Sequence, residues 1–172
     1  MSQLRRSVTA ADHHQGPLDA SIVVVEYGDY QCPYCGEEYP QLKKVQKHFG
    51  DKICFAFRNF PLTQAHPQAE RAAEFAEAAA TIGKFWEMHD ALYENQRALD
   101  DDSLNRYARA IGLSDELIRS ALDDAYIERI RKDFSGGVRS GVNGTPTLFV
   151  NGVRYNGERD ADSLIQLFNE IA

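Results

Sequence analysis

The sequence predicts an α/β fold in which a β-α-β half and a ββα half are separated by a block of helices. Three observations carry that expectation. A β-branched run, Ile22-Val23-Val24-Val25-Glu26-Tyr27, passes through the turn-like Gly28-Asp29 into a helical pattern that starts near Cys32. Helical patterns then crowd between Gln68 and about Ser140, with stops at Gly83 and Gly112. After Gly141, two short apolar runs flank Asn151-Gly152, a hairpin signal.

In order, residues 1–15 read as a flexible segment ahead of a single domain spanning 16–172. Ser7 to Ala20 is polar and broken by Gly16-Pro17, and His13-His14 is expected to be solvated. The strand at 22–27 is apolar on both faces, as the central strand of a covered sheet should be. Leu42, Val45 and Phe49 then share one face of a helix stopped at Gly50. A second strand follows at Ile53 to Arg58, with Cys54 as a small buried hydrophobe. Residues 59–67 form a loop marked by Pro61 and Pro67, and His66 reads as a cap or a surface group.

The helical insertion, about 68–140, divides by its apolar stripes. Phe75, Ala79 and Ile82 form the first, and Phe85, Trp86, Met88, Leu92 and Tyr93 the second. Asp100 to Asp102 opens a third helix with Leu104, Tyr107 and Ile111; Ser114 caps a fourth with Leu117, Ile118, Ala121 and Leu122. Ile127, Ile130, Phe134 and Val138 lie on one face of a fifth. Thr145-Pro146-Thr147 opens a strand, where a proline is tolerated. A helix from Asp160 to Ala172 closes the chain, with Leu164, Leu167, Phe168 and Ile171 inward.

Composition bounds the chemistry. At 172 residues, 43% hydrophobic and 26% charged, the chain is long enough to bury a core without disulfide staples. A net charge of −7 argues against nucleic acid and anionic membrane surfaces as partners. No apolar stretch follows Arg5-Arg6, and none approaches the ~18 residues of a membrane span. Neither a leader nor membrane insertion is therefore expected. As written, the chain is expected in the cytoplasm; a leader removed ahead of Met1 would make it periplasmic or exported.

The chemistry concentrates in Cys32-Pro33-Tyr34-Cys35. Cys32 falls at a helix start, where unpaired N–H groups and the dipole stabilise a thiolate, and Pro33 suits the first helical position. Cys35 lies one turn further in, within reach of a disulfide that Cys32 makes with a substrate. A zinc site would need two more ligands, and Cys54 with five histidines of unmatched spacing does not supply them. No metal and no bound cofactor is expected. Glu26, six residues before Cys32, is either a strand-end acid reaching solvent or a desolvated acid that exchanges a proton with Cys35.

Three stretches, VVEYGDYQCPYCG at 24–36, GKFWEMHDALY at 83–93 and GVNGTPTLFVNG at 141–152, carry a resemblance over residues 16–172. The chain resembles DsbA-like thiol–disulfide oxidoreductases, a thioredoxin fold with a helical insertion. It is also similar to a thioredoxin-like domain fused to some bacterial sodium/proton antiporters. The resemblance implies Cys32 as nucleophile, Cys35 as resolving thiol, Glu26 as the buried acid and Pro146 as a cis-proline opposite the cysteines. It implies a substrate surface of Pro33, Tyr34, Thr145 and Pro146, with Thr145 offering backbone hydrogen bonds to an extended segment. The implied partners are proteins with thiols or disulfides and a redox partner that the sequence does not identify. Pro-Tyr replaces the Pro-His of the strongly oxidising type member and is also found in glutaredoxins. A glutathione-linked reductase or isomerase, and a redox-sensing binding domain without turnover, therefore stay open.

Overall fold

The computed structural model describes residues 2–172. Its elements run β1 (His13–Gln15), β2 (Ile22–Gly28), α1 (Pro33–Phe49), β3 (Ile53–Asn59), α2 (Ala69–Ala80), α3 (Phe85–Glu94), α4 (Asp101–Ala110), α5 (Asp115–Leu122), α6 (Ile127–Arg139), β4 (Thr147–Val150), β5 (Val153–Tyr155) and α7 (Ala161–Ile171). The sheet order is β1-β3-β2-β4-β5. β2 is parallel to β3 and antiparallel to β4, so α1 is the crossover of a β-α-β unit and α2–α6 separate it from the ββα half. The Asn151-Gly152 turn has φ of 49° and 82°, the left-handed pair that an asparagine–glycine hairpin requires.

Burial follows from the central place of β2. Its register sets Glu26 between Phe57 of β3 and Leu148 of β4, away from either sheet edge. One face of the sheet packs its Ile22, Val24, Phe55 and Phe57 with Leu42 and Val45 of α1 and with Phe75, Met88 and Leu92 of the insertion. The other face gathers Val25, Tyr27, Ala56, Phe60 and Phe149, with Leu4, Val8 and Phe134 against them.

That second face corrects the expectation for this segment, because residues 2–15 pack on the domain rather than lying loose ahead of it. Leu4 N donates to Gly152 O at 2.8 Å, Arg154 N donates to Ser2 O at 3.0 Å, and β1 pairs antiparallel with β3. Asp12 binds the buried Arg58, with Nε 2.8 Å from Oδ1. His13 is not solvated: it stacks on Phe85 with ring centroids 3.8 Å apart and lies 2.9 Å from Glu77 Oε2. Two apolar assignments also fail. Ile82 lies beyond the end of α2 and Val138 turns outward, and both are exposed.

Candidate active site

Cys32 caps α1 and Pro33 is its first residue, so the strand-to-helix handover falls where the sequence places it. Asp29 fixes the approach. Its buried carboxylate accepts from Gln31 N (2.8 Å) and Cys32 N (3.1 Å) through Oδ1, and from Leu62 N (2.9 Å) through Oδ2. His66 Nδ1 lies 2.8 Å from the same Oδ2, so this histidine braces the loop rather than capping a helix. Gln96 Nε2 donates to the carbonyls of Tyr30 and Cys32, both at 2.9 Å. Gly36 leaves room for that glutamine, since a Cβ there would stand 2.0 Å from Gln96 Oε1.

Across from α1, the Thr145–Pro146 peptide is cis, and the Thr145 carbonyl oxygen lies 3.5 Å from Cys32 Sγ. Cys32 keeps only 3% of its surface and Cys35 none. The helix start does not by itself expose Cys32, because its Sγ lies against the 145–146 loop. Tyr34, between the cysteines, is 64% exposed. All three cysteines are free thiols.

The two active-site sulfurs are driven apart in acidity. The Cys35 thiol beside Cys32 is the largest influence holding the Cys32 pKa down to about 5. Burial opposes that fall, while Thr145 and the backbone N–H groups of Cys35 and Tyr34 support it. The buried Thr145 hydroxyl has no other hydrogen-bond partner among the described residues, which suits it to donate to the thiolate. Burial raises Cys35 well above the ordinary thiol value, and its bond to Cys32 adds to the rise. Thr145→Val should therefore raise the Cys32 pKa by about one unit, the worth of one hydrogen bond to a charged acceptor. A thiolate absorbance titration of the two proteins measures it; superimposable curves would exclude the hydroxyl.

Glu26 is 2% exposed, so it is desolvated and not a strand-end acid reaching solvent. Burial lifts its pKa well above the usual carboxylate value, and Glu38 raises it further. Tyr30 and Tyr93, themselves buried with raised pKa values, belong to the same surroundings. Tyr30 Oη lies 3.0 Å from Nδ1 of the buried His89, and Tyr93 Oη donates to Asp29 O at 3.4 Å. Trp86 and His89 of α3 line a small cavity together with Glu26.

The structure brings Cys32, Cys35 and the Thr145–Pro146 peptide into one cluster, with Pro33 and Tyr34 exposed beside it and Glu26 buried on β2. Cys54 is buried on β3, its pKa raised by burial, and stands apart from that cluster. Glu38 and Arg159 were missed. Glu38 had a signal: it lies three residues after Cys35 on the face that also carries Leu42, Val45 and Phe49. Arg159 sits in a loop and had none. Among the described residues, no three of His, Cys, Asp and Glu gather as a metal site would require.

The family model for Thioredoxin matches residues 8–170. The chain belongs to the thioredoxin family. Within it, the fold is that of DsbA-like proteins, as the three stretches implied. BdbD of Bacillus subtilis superposes with a TM-score of 0.86, covering 98% of this chain and 97% of that one at 23% identity. The thiol–disulfide exchange protein α-DsbA2 of Wolbachia pipientis gives 0.82 over 95% and 88% at 21% identity. Sequence similarity is higher to a stretch of Na+/H+ antiporters. NhaA 1 of Mycolicibacterium vanbaalenii is 42% identical over 158 residues, covering 90% of this chain, and NhaA 1 of Salinispora arenicola is 44% identical over 154 residues, covering 89%. This thioredoxin-family chain spans about a quarter of those antiporters, 26% and 24% of their length. No helix among its described residues is long and apolar enough to cross a membrane.

Proposed function

We propose that this chain exchanges disulfides with protein substrates, Cys32 attacking and Cys35 resolving. The observation that carries the reading is the unequal setting of the pair: Cys32 caps α1 with its Sγ 3.5 Å from the Thr145 carbonyl oxygen, while Cys35 is fully buried one turn further in. Their pKa values follow, about 5 for Cys32 and raised for Cys35. At neutral pH one sulfur is a nucleophile and the other is held as a thiol. The Cys32 thiolate attacks one sulfur of a substrate disulfide and the other sulfur leaves. Cys35, on losing its proton, then attacks Cys32 and frees the remaining substrate sulfur. The Thr145 backbone beside Cys32 suits an extended substrate segment, and exposed Tyr34 gives it an aromatic rim.

A low Cys32 pKa stabilises the reduced form and makes the disulfide more oxidising. The pair is expected to equilibrate with glutathione between ~ −120 mV and ~ −270 mV, the oxidant and reductant ends for dithiols of this fold. Catalytic turnover of a peptide disulfide against a glutathione couple tests the whole reading, with Cys54→Ser expected to match the parent chain. Exchange that stops at one equivalent per chain would instead identify a redox-sensing module. A potential at or above the strong-oxidant end would contradict the intermediate value.

A further inference from the structure

Resolution by Cys35 creates a proton that the interior must take up, and the surroundings of Glu26 show where it goes. Glu38 of α1 is buried, and neither of its carboxyl oxygens accepts a well-directed hydrogen bond from the described residues as a carboxylate. Glu26 and Glu38 each shift the other's acidity, as neighbouring buried carboxyls do, and two carboxyls bond to each other only when one carries a proton. On its other side, Arg159 Nε lies 3.1 Å from Glu38 Oε2. The same guanidinium donates from Nη1 to the Pro146 carbonyl at 3.4 Å, in the loop beside Cys32. Arg159 is itself partly exposed. Glu38 is thus tied through the partly exposed Arg159 to the loop beside Cys32, while the charge of Glu26 acts on both Glu38 and Cys35.

Taking Glu26 as the acid that exchanges a proton with Cys35, we propose that Glu38 shares that proton as the second member of a carboxyl pair, and that Arg159 is the positioning residue tying this pair to the Pro146 loop. The proposal rests on disulfide exchange at Cys32. In the resolving step the Cys35 S–H bond breaks and its proton passes to the Glu26 carboxylate. The Cys35 sulfur bonds to Cys32, the substrate–Cys32 bond breaks, and the substrate leaves as a thiolate. The proton then moves within the pair and exits past Arg159. In the opposite direction a departing Cys35 thiolate recovers its proton from Glu26. No external oxidant or reductant enters beyond the substrate thiol or disulfide.

The other groups around the pair do not offer the same bridge. The other groups whose charges couple to Glu26 are Cys32 at the α1 cap, Cys35 in α1, Tyr30 in the preceding loop and Tyr93 in α3. A cavity of about 10 Å3 on the far side is lined by Glu26, Tyr39, Lys43 and His89, so Lys43 marks a competing exit. Burial lifts Glu38 to about 7 against the lowering effect of Arg159, so loss of that arginine makes the pair harder to deprotonate.

The test uses the full reduced chain and a chromogenic aromatic disulfide in stopped flow. The first chromophore release reports attack by Cys32, and the second reports ring closure by Cys35. In the parent chain the second phase should accelerate as pH rises through about 7. Arg159→Met should move that midpoint up by about one pH unit, slowing closure relative to the first phase about tenfold below it. Arg159→Lys should restore the midpoint, and Glu38→Gln should remove the arginine's effect in the double variant. Carboxyl-carbon NMR titration of the reduced chain reads the pair without any turnover. Two linked steps that shift with Arg159→Met support the proposal; two independent single steps overturn it. An unmoved midpoint in Arg159→Met, an effect that persists beside Glu38→Gln, or a shift with Lys43→Met alone also overturns it. Absence of the first phase would instead remove the disulfide-exchange reading, and the NMR titration would still decide the pair.

Discussion

Cys35→Ser is expected to accumulate mixed disulfides between Cys32 and substrate proteins, and Cys32→Ser to form few and to lose turnover by at least about 10³-fold. The asymmetry comes from environment, since both residues carry the same group. With a pKa of about 5, Cys32 is a thiolate by about 100:1 at pH 7. Cys35 is protonated at that pH and has no exposed surface. Exchange requires both charge and access, and Cys32 has the first in full and the second in small measure. Acid quenching, alkylation and non-reducing gels of Cys32→Ser, Cys35→Ser and Cys54→Ser measure the yields. Adducts should disappear on adding thiol. Equal yields from the first two variants would remove the assignment of the nucleophile.

The local logic of this site was legible because it is written in consecutive residues. A β-branched strand, a turn and Pro33 at a helix start place Cys32 at the cap without reference to anything distant. The asparagine–glycine hairpin and the aspartate and serine caps of α4 and α5 are local in the same way: Asp100 accepts from Ser103 N and Ser114 from Leu117 N. Residues 2–15 were illegible for the opposite reason. They are held by backbone pairing to β3 and β5 at the two edges of the sheet, and edge pairing leaves no side-chain period to read. His13 shows the cost of judging a histidine by its polar neighbours, because Glu77 and Phe85 reach it only in three dimensions. Glu38 differs again. The spacing that turned Leu42 and Val45 inward also turns Glu38 inward, so a buried acid one turn after Cys35 could be read from the chain. Its partner Arg159, in the loop ahead of α7, could not.

Glu26→Gln should slow release of a mixed disulfide by about 10- to 100-fold at neutral pH and at the same time stabilise the fold. The kinetic half follows because Cys35 must surrender a proton in a site without solvent, and a positioned base is worth roughly 10²–10⁴-fold when it acts in the transition state. A neighbouring carboxyl such as Glu38 can recover part of the loss, which places the expectation at the lower end. The stability half follows from linkage. The folded chain holds the Glu26 proton to a higher pH than the unfolded chain, whose carboxyl ionises near 4.5. The parent therefore loses stability as pH rises from about 4.5 through the raised folded value, and the amide, which never ionises, does not. The amide can also donate to Glu38, leaving that carboxylate better satisfied than before. A gain of roughly 1–3 kcal/mol at pH 7 is the scale for relieving an incompletely compensated buried polar group. Denaturant melts should show the two proteins converging below pH 4.5 and separating above it, while single-turnover release reports the kinetic loss. A constant stability difference across that range would mean that Glu26 ionises alike in both states. Unchanged release together with altered stability would make the acid a structural group and leave Cys35 to lose its proton elsewhere.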